Sequence, residues 1–300
     1  HFQRAVGHGI DAWIFAEVRK NVGFTKMNTV ITEMLKKYRA YGLTDQKNAV
    51  KEIMQEIVLC GLSRDGFFEK AAFYGGTALR IFYGLDRFSE DLDFSLTLPD
   101  NSFDFDLYLP MLEKELTAWG LNLKVEPHEK SVDSDIRSAF VKGNTREHLL
   151  LFFPSENLKD TVAASDIIKI KFEVDTTPPM FASFEHKYRL LPMPYDVLMY
   201  DAPSLFAGKI HAVLCRSWKN RVKGRDLYDY LFYLSRNIPV NLRHLNARLE
   251  DSGFSGGDSA TVKKLLKERF GSIDFKQAKQ DVLPFIKNPS VLDAWSIDMF

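Results

Sequence analysis

Several short stretches in the first two thirds of the chain alternate between apolar and polar residues, the pattern of a strand with one buried face. The strictest examples are 91–98 and 168–175, where an apolar residue stands at every second position. Residues 72–74 also have the character of a short strand. Further strands are expected at 121–126, 136–142 and 147–153. The first two thirds of the chain are therefore predicted to form a β-sheet.

Other stretches repeat their apolar residues at the spacing of a helix. Such patterns cover 45–62 and 104–119, and Thr77–Tyr83 has the pattern of a short helix that ends at Gly84. Towards the carboxyl end the pattern is helical throughout, and we place the boundary near 196–203. The sequence therefore predicts an α+β protein in which a sheet with flanking helices precedes a helical region.

Composition allows a large core but gives little direct sign of function. The chain has 300 residues, of which 45% are hydrophobic and 13% aromatic, and its formal net charge is zero. This balance argues against a protein that coats nucleic acid nonspecifically. One segment departs from it, because 205–236 holds seven Lys or Arg residues against two Asp. A local positive patch of this kind suits a triphosphate or an RNA backbone.

The number of cysteines and the length of the apolar runs indicate the cellular compartment that we expect for the protein. Cys60 and Cys215 are too few for a disulfide framework, so we expect a reducing, cytoplasmic environment. No apolar run reaches the roughly 18 residues needed to span a bilayer, and no membrane contact is expected. Residues 1–26 are assigned no function, and whether they are a tag remnant or a native extension stays open at this point.

Two acidic residues carry the first candidate chemistry. Asp91 and Asp93 alternate with Leu92 and Phe94, so on a strand both carboxylates project from the same face. Their Cα atoms would then be roughly 6.5–7 Å apart. Mg²⁺ prefers hard oxygen ligands and completes its shell with water and phosphate. The pair therefore predicts a metal site.

A pair of glycines stands shortly before these acids. Gly75 and Gly76 lie between the predicted strand 72–74 and the helix that begins at Thr77. Such a junction lets backbone amides approach an anion at the start of a helix. The alternative for Thr77 is that it is only a helix cap and has no contact with a ligand. The glycine spacing matches neither the P-loop nor the dinucleotide fingerprint.

These two motifs resemble those of a known family. The run Gly75–Arg80, followed by Arg87–Phe94, is similar to the AbiEii/AbiGii toxins, which belong to the DNA polymerase β-like nucleotidyltransferases. Thr77 stands where serine is usual in that superfamily. The resemblance implies a nucleotidyltransferase domain over 27–200, built on a mixed sheet, and a helical domain over 201–300 that completes the site.

The same resemblance implies roles for individual residues. Asp91, Asp93 and a third carboxylate would hold Mg²⁺ or Mn²⁺, with Glu173 favoured for the third position and Asp175 as the alternative. Lys209 and Asp226 would be catalytic, whereas Asp229 ranks lower and would hold Arg225 or stabilise the fold. Nucleotide contacts are expected from Gly75, Gly76, Thr77, Arg80, Lys223 and Arg225.

The resemblance also implies a reaction. The protein would transfer NMP from an NTP to an RNA acceptor, with a tRNA 3′ end preferred, and would have a cognate antitoxin. Transfer to a protein hydroxyl is the second hypothesis. A non-catalytic nucleotide-binding module is the third, and the full set of acidic residues argues against it.

Overall fold

The structure is a computed structural model that describes residues 29–38, 40, 42–127, 136–152, 162–216 and 223–300. Within these residues, seven strands form one mixed sheet in the order β3-β4-β5-β2-β1-β7-β6. The strands are β1 Ala71–Tyr74, β2 Leu92–Leu96, β3 Lys124–Pro127, β4 Ile136–Asn144, β5 Ile167–Asp175, β6 Phe184–Arg189 and β7 Tyr195–Tyr200.

The centre of the sheet is formed by the strands that the alternating pattern predicts most clearly. β2 pairs antiparallel with β1 and parallel with β5, while β1 also pairs parallel with β7. β2 is therefore an interior strand with a hydrogen-bonded neighbour along each of its two edges. The α+β class, with a mixed sheet, is confirmed.

Helices pack around this sheet and follow it. They are α1 Thr29–Leu35, α2 Leu43–Arg64, α3 Gly75–Tyr83, α4 Leu109–Ala118, α5 Thr145–Phe152, α6 Ala202–Cys215, α7 Gly224–Ser235, α8 Leu242–Asp251, α9 Ser259–Gly271 and α10 Phe275–Val282. Short 3₁₀ turns occupy Phe67–Glu69, Phe105–Tyr108, Leu283–Phe285 and Pro289–Leu292. Every described element after β7 is helical. None of the described helices combines the length and apolarity needed to cross a bilayer.

The prediction of a strand at 147–153 was wrong, because its described part belongs to helix α5. Leu149 and Phe152 are both buried and stand three positions apart, which is the spacing of one helical face. The Asn144 side chain accepts a hydrogen bond from the backbone N–H of Glu147 (2.9 Å) and so caps the helix. The run of apolar residues hid this spacing in the sequence.

Strands β6 and β7 were not predicted from the sequence. β7 covers Tyr195–Tyr200, within the stretch where we placed the boundary, and it joins the sheet beside β1. β6 is an edge strand on which half-buried and exposed residues alternate. Its polar character masked the strand, which lies at the edge of the sheet and pairs there with β7.

The core lies between α2 and the centre of the sheet. Ile53, Ile57 and other residues of α2 are fully buried. On the sheet side, Phe67 meets Phe94 of β2 edge to face, with ring centroids 5.0 Å apart. Phe94 in turn contacts Phe73 of β1 at 5.2 Å. This packing holds β2 rigidly and so positions the acidic residues that alternate with its apolar ones.

Candidate active site

A cavity of about 640 Å³ opens where the sheet meets helices α6 and α7. One part of its wall is formed by the start of α3, by Asp91 and Asp93 at the start of β2, and by Glu173 of β5. Another part is formed by side chains of α6, α7 and α8. Nine residues that were given site roles from the sequence line it: Gly75, Gly76, Asp91, Asp93, Glu173, Lys209, Lys223, Arg225 and Asp226.

Strand register determines which third carboxylate faces the cavity. Asp93 of β2 lies directly opposite Glu173 of the parallel strand β5, whereas Asp175 lies opposite Ser95. Glu173 lines the cavity and Asp175 does not. The Asp175 carboxylate instead accepts a hydrogen bond from the backbone N–H of Thr177 at 3.0 Å. Of the two candidates, Glu173 therefore has the position of a site residue.

The carboxylates of Asp91, Asp93 and Glu173, which form the acidic wall of the cavity, repel one another strongly. Burial, with the nearby carboxylates of Asp91 and Glu173, raises the pKa of Asp93 to about 7. Burial and Glu90 also raise the pKa of Asp91 above its usual range. Lys171 offsets part of this charge, because its ammonium lies 2.8 Å from Glu173 Oε1. A bound cation would relieve the rest.

The donor set fits a two-carboxylate magnesium site. Among the described residues, no three His, Cys, Asp or Glu side chains already converge on one ligation point. Mg²⁺ usually takes only one or two protein carboxylates and fills its remaining positions with water and substrate phosphate. Asp91 and Asp93 provide such a pair. Glu173, held by Lys171, lies beside it.

Two features require a glycine at position 75: the backbone conformation there and the closeness of the Asp93 side chain. Its φ is +83°, in the left-handed region, and a Cβ at this position would lie 2.4 Å from Asp93 Oδ2. The preceding residue, Tyr74, is extended, so the chain turns at the glycine into helix α3. The turn brings the first amides of α3 to the same wall as the carboxylates, as expected for an anion site.

Thr77 and Arg80 do not line the cavity. Thr77 is fully buried and its hydroxyl donates to the carbonyl oxygen of Asp91, which joins α3 to the start of β2. The Arg80 guanidinium binds Glu52 (Nε to Oε2, 2.8 Å) and the carbonyl oxygen of Leu85. Both side chains therefore bind other protein groups, and the nucleotide contacts that the resemblance implied for them stay a prediction.

Lys209 of α6 lies between two acidic residues of α7. Its ammonium is 2.7 Å from Asp226 Oδ1 and 2.8 Å from Asp229 Oδ2. Burial lowers the pKa of Lys209, but these two carboxylates more than compensate, and the pKa lies above its usual value. The same lysine, with Arg216, holds the pKa of Asp226 below its usual range against the effect of burial. Lys209 is therefore a fixed positive charge in the cavity wall.

Three further cations line this side of the cavity. Arg216 binds Asp226 at 3.1 Å and remains exposed. Arg225 lies 3.9 Å from Glu90, with its guanidinium 4.2 Å from the centre of the Phe285 ring. Burial and the neighbouring charges of Arg216 and Arg225 lower the pKa of Lys223. Cations crowded in this way favour an anionic ligand. The rest of the basic segment predicted over 205–236, at 217–222, lies outside the described residues.

Comparison with protein families shows which family the chain belongs to. The family model described as "Nucleotidyl transferase AbiEii toxin, Type IV TA system" matches residues 57–298. The chain belongs to the AbiEii family. It is thus a nucleotidyltransferase of the kind found as the toxin of type IV toxin–antitoxin systems, as the resemblance implied.

Two solved structures are similar to this AbiEii-family chain. MenT4, a nucleotidyltransferase toxin from Mycobacterium tuberculosis H37Rv, has 15% identity and a TM-score of 0.45, over 85% of this chain and 92% of that chain. JHP933 from Helicobacter pylori has 17% identity and a TM-score of 0.39, over 81% and 90%. No curated protein sequence matches the chain significantly.

Several cavity residues of this AbiEii-family protein were not found from the sequence. Arg87 stands within the quoted motif but was given no role there. Arg248 was missed entirely. Its Nε donates to Nε2 of His244 (2.9 Å), while Nδ1 of that ring bonds the carbonyl oxygen of Met180 (2.7 Å). Burial and Arg248 lower the pKa of His244 to about 4, so the ring is neutral. The only signal in the sequence is the i, i+4 spacing on a helix.

Proposed function

We propose that the protein transfers NMP from an NTP to the 3′ end of a tRNA and depends on Mg²⁺. One observation carries this proposal. The carboxylates of Asp91 and Asp93 line the same cavity as Lys209, Arg216 and Lys223. Acidic and basic groups around one cavity suit a metal-bound polyphosphate, because the metal binds the carboxylates and the phosphates bind the cations.

The acidic wall would hold the metal. Asp91 and Asp93 are its proposed ligands, and Glu173 completes the negative field beside them. When bound, Mg²⁺ neutralises phosphate charge and lowers the pKa of an acceptor hydroxyl. Asp93 must be ionised for this role, and its pKa of about 7 means that metal binding displaces a proton near neutral pH.

The remaining residues would bind and orient the triphosphate. The backbone amides at Gly75 and Gly76 face its oxygens, and Lys209 neutralises charge on the β- or γ-phosphate. Asp226 holds Lys209 in place, and Lys223 and Arg225 extend the positive surface towards the acceptor. The acceptor oxygen bonds to the α-phosphorus, the bond to the bridging oxygen breaks, and pyrophosphate leaves. Positioning and charge neutralisation supply the rate.

RNA is the preferred acceptor because the cations continue beyond those that a triphosphate needs. Arg216, Lys223 and Arg225 line the same side, and at least one of these charges is exposed. A polynucleotide backbone is the partner that such a surface attracts. Transfer to a protein hydroxyl is the second candidate. A cytoplasmic location and a cognate antitoxin are part of the proposal through the family.

The decisive experiment supplies each α-labelled NTP in turn, with Mg²⁺ and either total tRNA or cell protein. We expect label on tRNA with one NTP or a subset of them. Periodate-treated tRNA, whose terminal diol has been oxidised, is the matched control and should gain no label. Label on the protein fraction alone would overturn the RNA proposal in favour of the second candidate.

A catalytically impaired variant separates transfer from binding. Asp93→Asn should abolish labelling while the protein remains folded. If the unaltered protein binds NTP tightly but labels neither fraction, the site is a nucleotide-binding module and the transfer proposal is wrong.

A further inference from the structure

Arg87 lies at the centre of a buried ion network that joins the two parts of the site. It follows helix α3, and its side chain is 3% exposed. Its guanidinium makes two hydrogen bonds to one carboxylate, from Nε to Asp229 Oδ1 and from Nη2 to Asp229 Oδ2, both at 2.6 Å. Nη1 donates to the carbonyl oxygen of Phe88 at 2.8 Å. This fork-like geometry fixes both partners in orientation as well as in distance.

Asp229 shares its carboxylate between two cations. Oδ2 bonds Arg87 and also lies 2.8 Å from the Lys209 ammonium. The Asp229 side chain is completely buried. Lys209 therefore has two anchors, Asp226 and Asp229, and only Asp229 is itself held by an arginine from the sheet region. Arg87 acts on Lys209 through Asp229.

Gly76 completes the connection. A Cβ at this glycine would lie 2.8 Å from Arg87 Nη2 and 2.9 Å from Ser89 Oγ. The guanidinium thus packs against the backbone of the turn that begins α3. The absence of a side chain at Gly76 leaves room for Arg87 as well as exposing backbone to a ligand. One arginine contacts both the glycine turn and the carboxylate that holds the lysine.

We propose that Arg87 and Asp229 are positioning residues that set the Lys209 ammonium relative to the glycine turn, so that both act on the same polyphosphate. This inference rests on the proposed function for what the site binds. The glycine turn and Lys209 come from segments more than 100 residues apart. Their relative placement is therefore not determined by local structure. The Arg87–Asp229 pair is a rigid, buried link between them.

The kinetic test uses Arg87→Lys, which keeps the charge but loses the fork. We expect kcat for NMP transfer to fall about 10- to 100-fold, since a misplacement near 1 Å can cost that much. The KM for NTP should change less. The matched control is Arg189→Lys, because Arg189 also binds a buried carboxylate, that of Glu56 (2.7 Å), but does not line the cavity. An equal loss of kcat in both variants would show a purely structural role and overturn the proposal.

Chemical labelling tests the positioning without any activity. Lys209 reacts with an amine-directed reagent only when its ammonium leaves the two carboxylates and loses its proton. Mass spectrometry should show Lys209 labelled several-fold faster in Arg87→Lys and in Asp229→Asn than in the unaltered protein. Lys264 on the exposed face of α9 serves as internal reference and should react equally in all three.

The two measurements fail separately. If the unaltered protein transfers no NMP, the proposed function fails, but faster labelling of Lys209 still supports the positioning. If Asp229→Asn does not fold, Arg87→Lys, which retains every charge, decides the question. Unchanged labelling of Lys209 in a folded Arg87→Lys variant would show that the lysine is held without Arg87.

Discussion

Asp93 of β2 lies directly opposite Glu173 of β5, and the two strands run parallel. Both side chains therefore leave the sheet on the same side, which is also the side of Asp91. Burial and these two carboxylates raise the pKa of Asp93 to about 7, from an ordinary value of 3.8. In the absence of a cation, the Asp93 carboxyl is thus about half protonated near pH 7, whereas an ordinary aspartate is fully ionised there.

Asp93→Asn should make the metal-free protein more stable while it abolishes transfer. Because the folded pKa lies above the unfolded one, ionised Asp93 reduces the free energy of unfolding as pH rises from about 4 to 7. The amide removes that cost, by at most about 4 kcal/mol at pH 8. Urea unfolding at pH 8 with a chelator measures it. Transfer should fall at least about 100-fold. A variant less stable than the original protein would contradict this prediction.

Magnesium affinity should weaken as pH falls below about 7. A proton on Asp93 competes with the metal, so each pH unit below the pKa lowers the apparent affinity up to about tenfold. Isothermal titration at pH 6, 7 and 8 tests this. In Asp93→Asn the binding should be weaker and nearly independent of pH over this range. Equal affinity at pH 6 and pH 8 in the unaltered protein would show that Asp93 is not a ligand.

Neutralising Glu173 and neutralising Asp175 should have very different effects on kcat, although the two residues stand only two positions apart. Glu173→Gln should lower kcat by about tenfold or more, because the acidic wall loses charge and Lys171 loses its partner. Asp175→Asn should change kcat by less than about threefold, or ~0.6 kcal/mol. Each variant controls for the other, as both remove one negative charge from β5. A larger loss in Asp175→Asn would reassign the third carboxylate.

Lys209→Ala should destabilise the fold as well as slow the reaction. The structure shows the ammonium between two buried carboxylates, and its removal leaves them underpaired, at a cost of about 3–5 kcal/mol. Urea unfolding of Lys209→Ala and of Lys264→Ala, an exposed control on α9, gives the comparison. Equal stability of the two variants would show that Arg87 and Arg216 alone are enough to pair with Asp229 and Asp226.

Gly75→Ala should have two effects: it should lower stability through backbone strain, and it should also disturb the metal site. Gly120 has nearly the same φ, +80° against +83°, but a Cβ there would meet nothing within 4 Å. Gly120→Ala should therefore cost only about 1–2 kcal/mol of stability. Gly75→Ala adds contact with Asp93 Oδ2 and should also weaken Mg²⁺ binding in titration. Unchanged Mg²⁺ affinity in that variant would show that Asp93 can move without consequence.

Local patterns predicted the central elements well. The alternation at 91–98 and 168–175 led to β2 and β5, and Gly84 does end α3 in the left-handed conformation. These features depend on neighbouring residues, so they can be recognised without the rest of the fold. The helix α5 was mistaken for a strand because its run of apolar residues fits both periods.

Long-range contacts account for what the sequence did not reveal. Arg80 belongs to a recognisable motif, yet its guanidinium binds Glu52 of α2, 28 positions earlier, and does not reach the cavity. Conversely, Arg87 and Asp229 are 142 positions apart and bind each other at 2.6 Å. No local pattern indicates which arginine will meet which carboxylate.

The sequence by itself determined the α+β class, the strand that carries Asp93 and directly follows Asp91, the glycine turn before it and the family. Each of these is encoded by residues close together in the chain. Only the tertiary structure decided that Glu173 faces the cavity and Asp175 does not, that Thr77 and Arg80 lie outside its lining, and that Lys209 is held by two acids. Those assignments depend on strand register and helix docking, which arise from packing between distant segments.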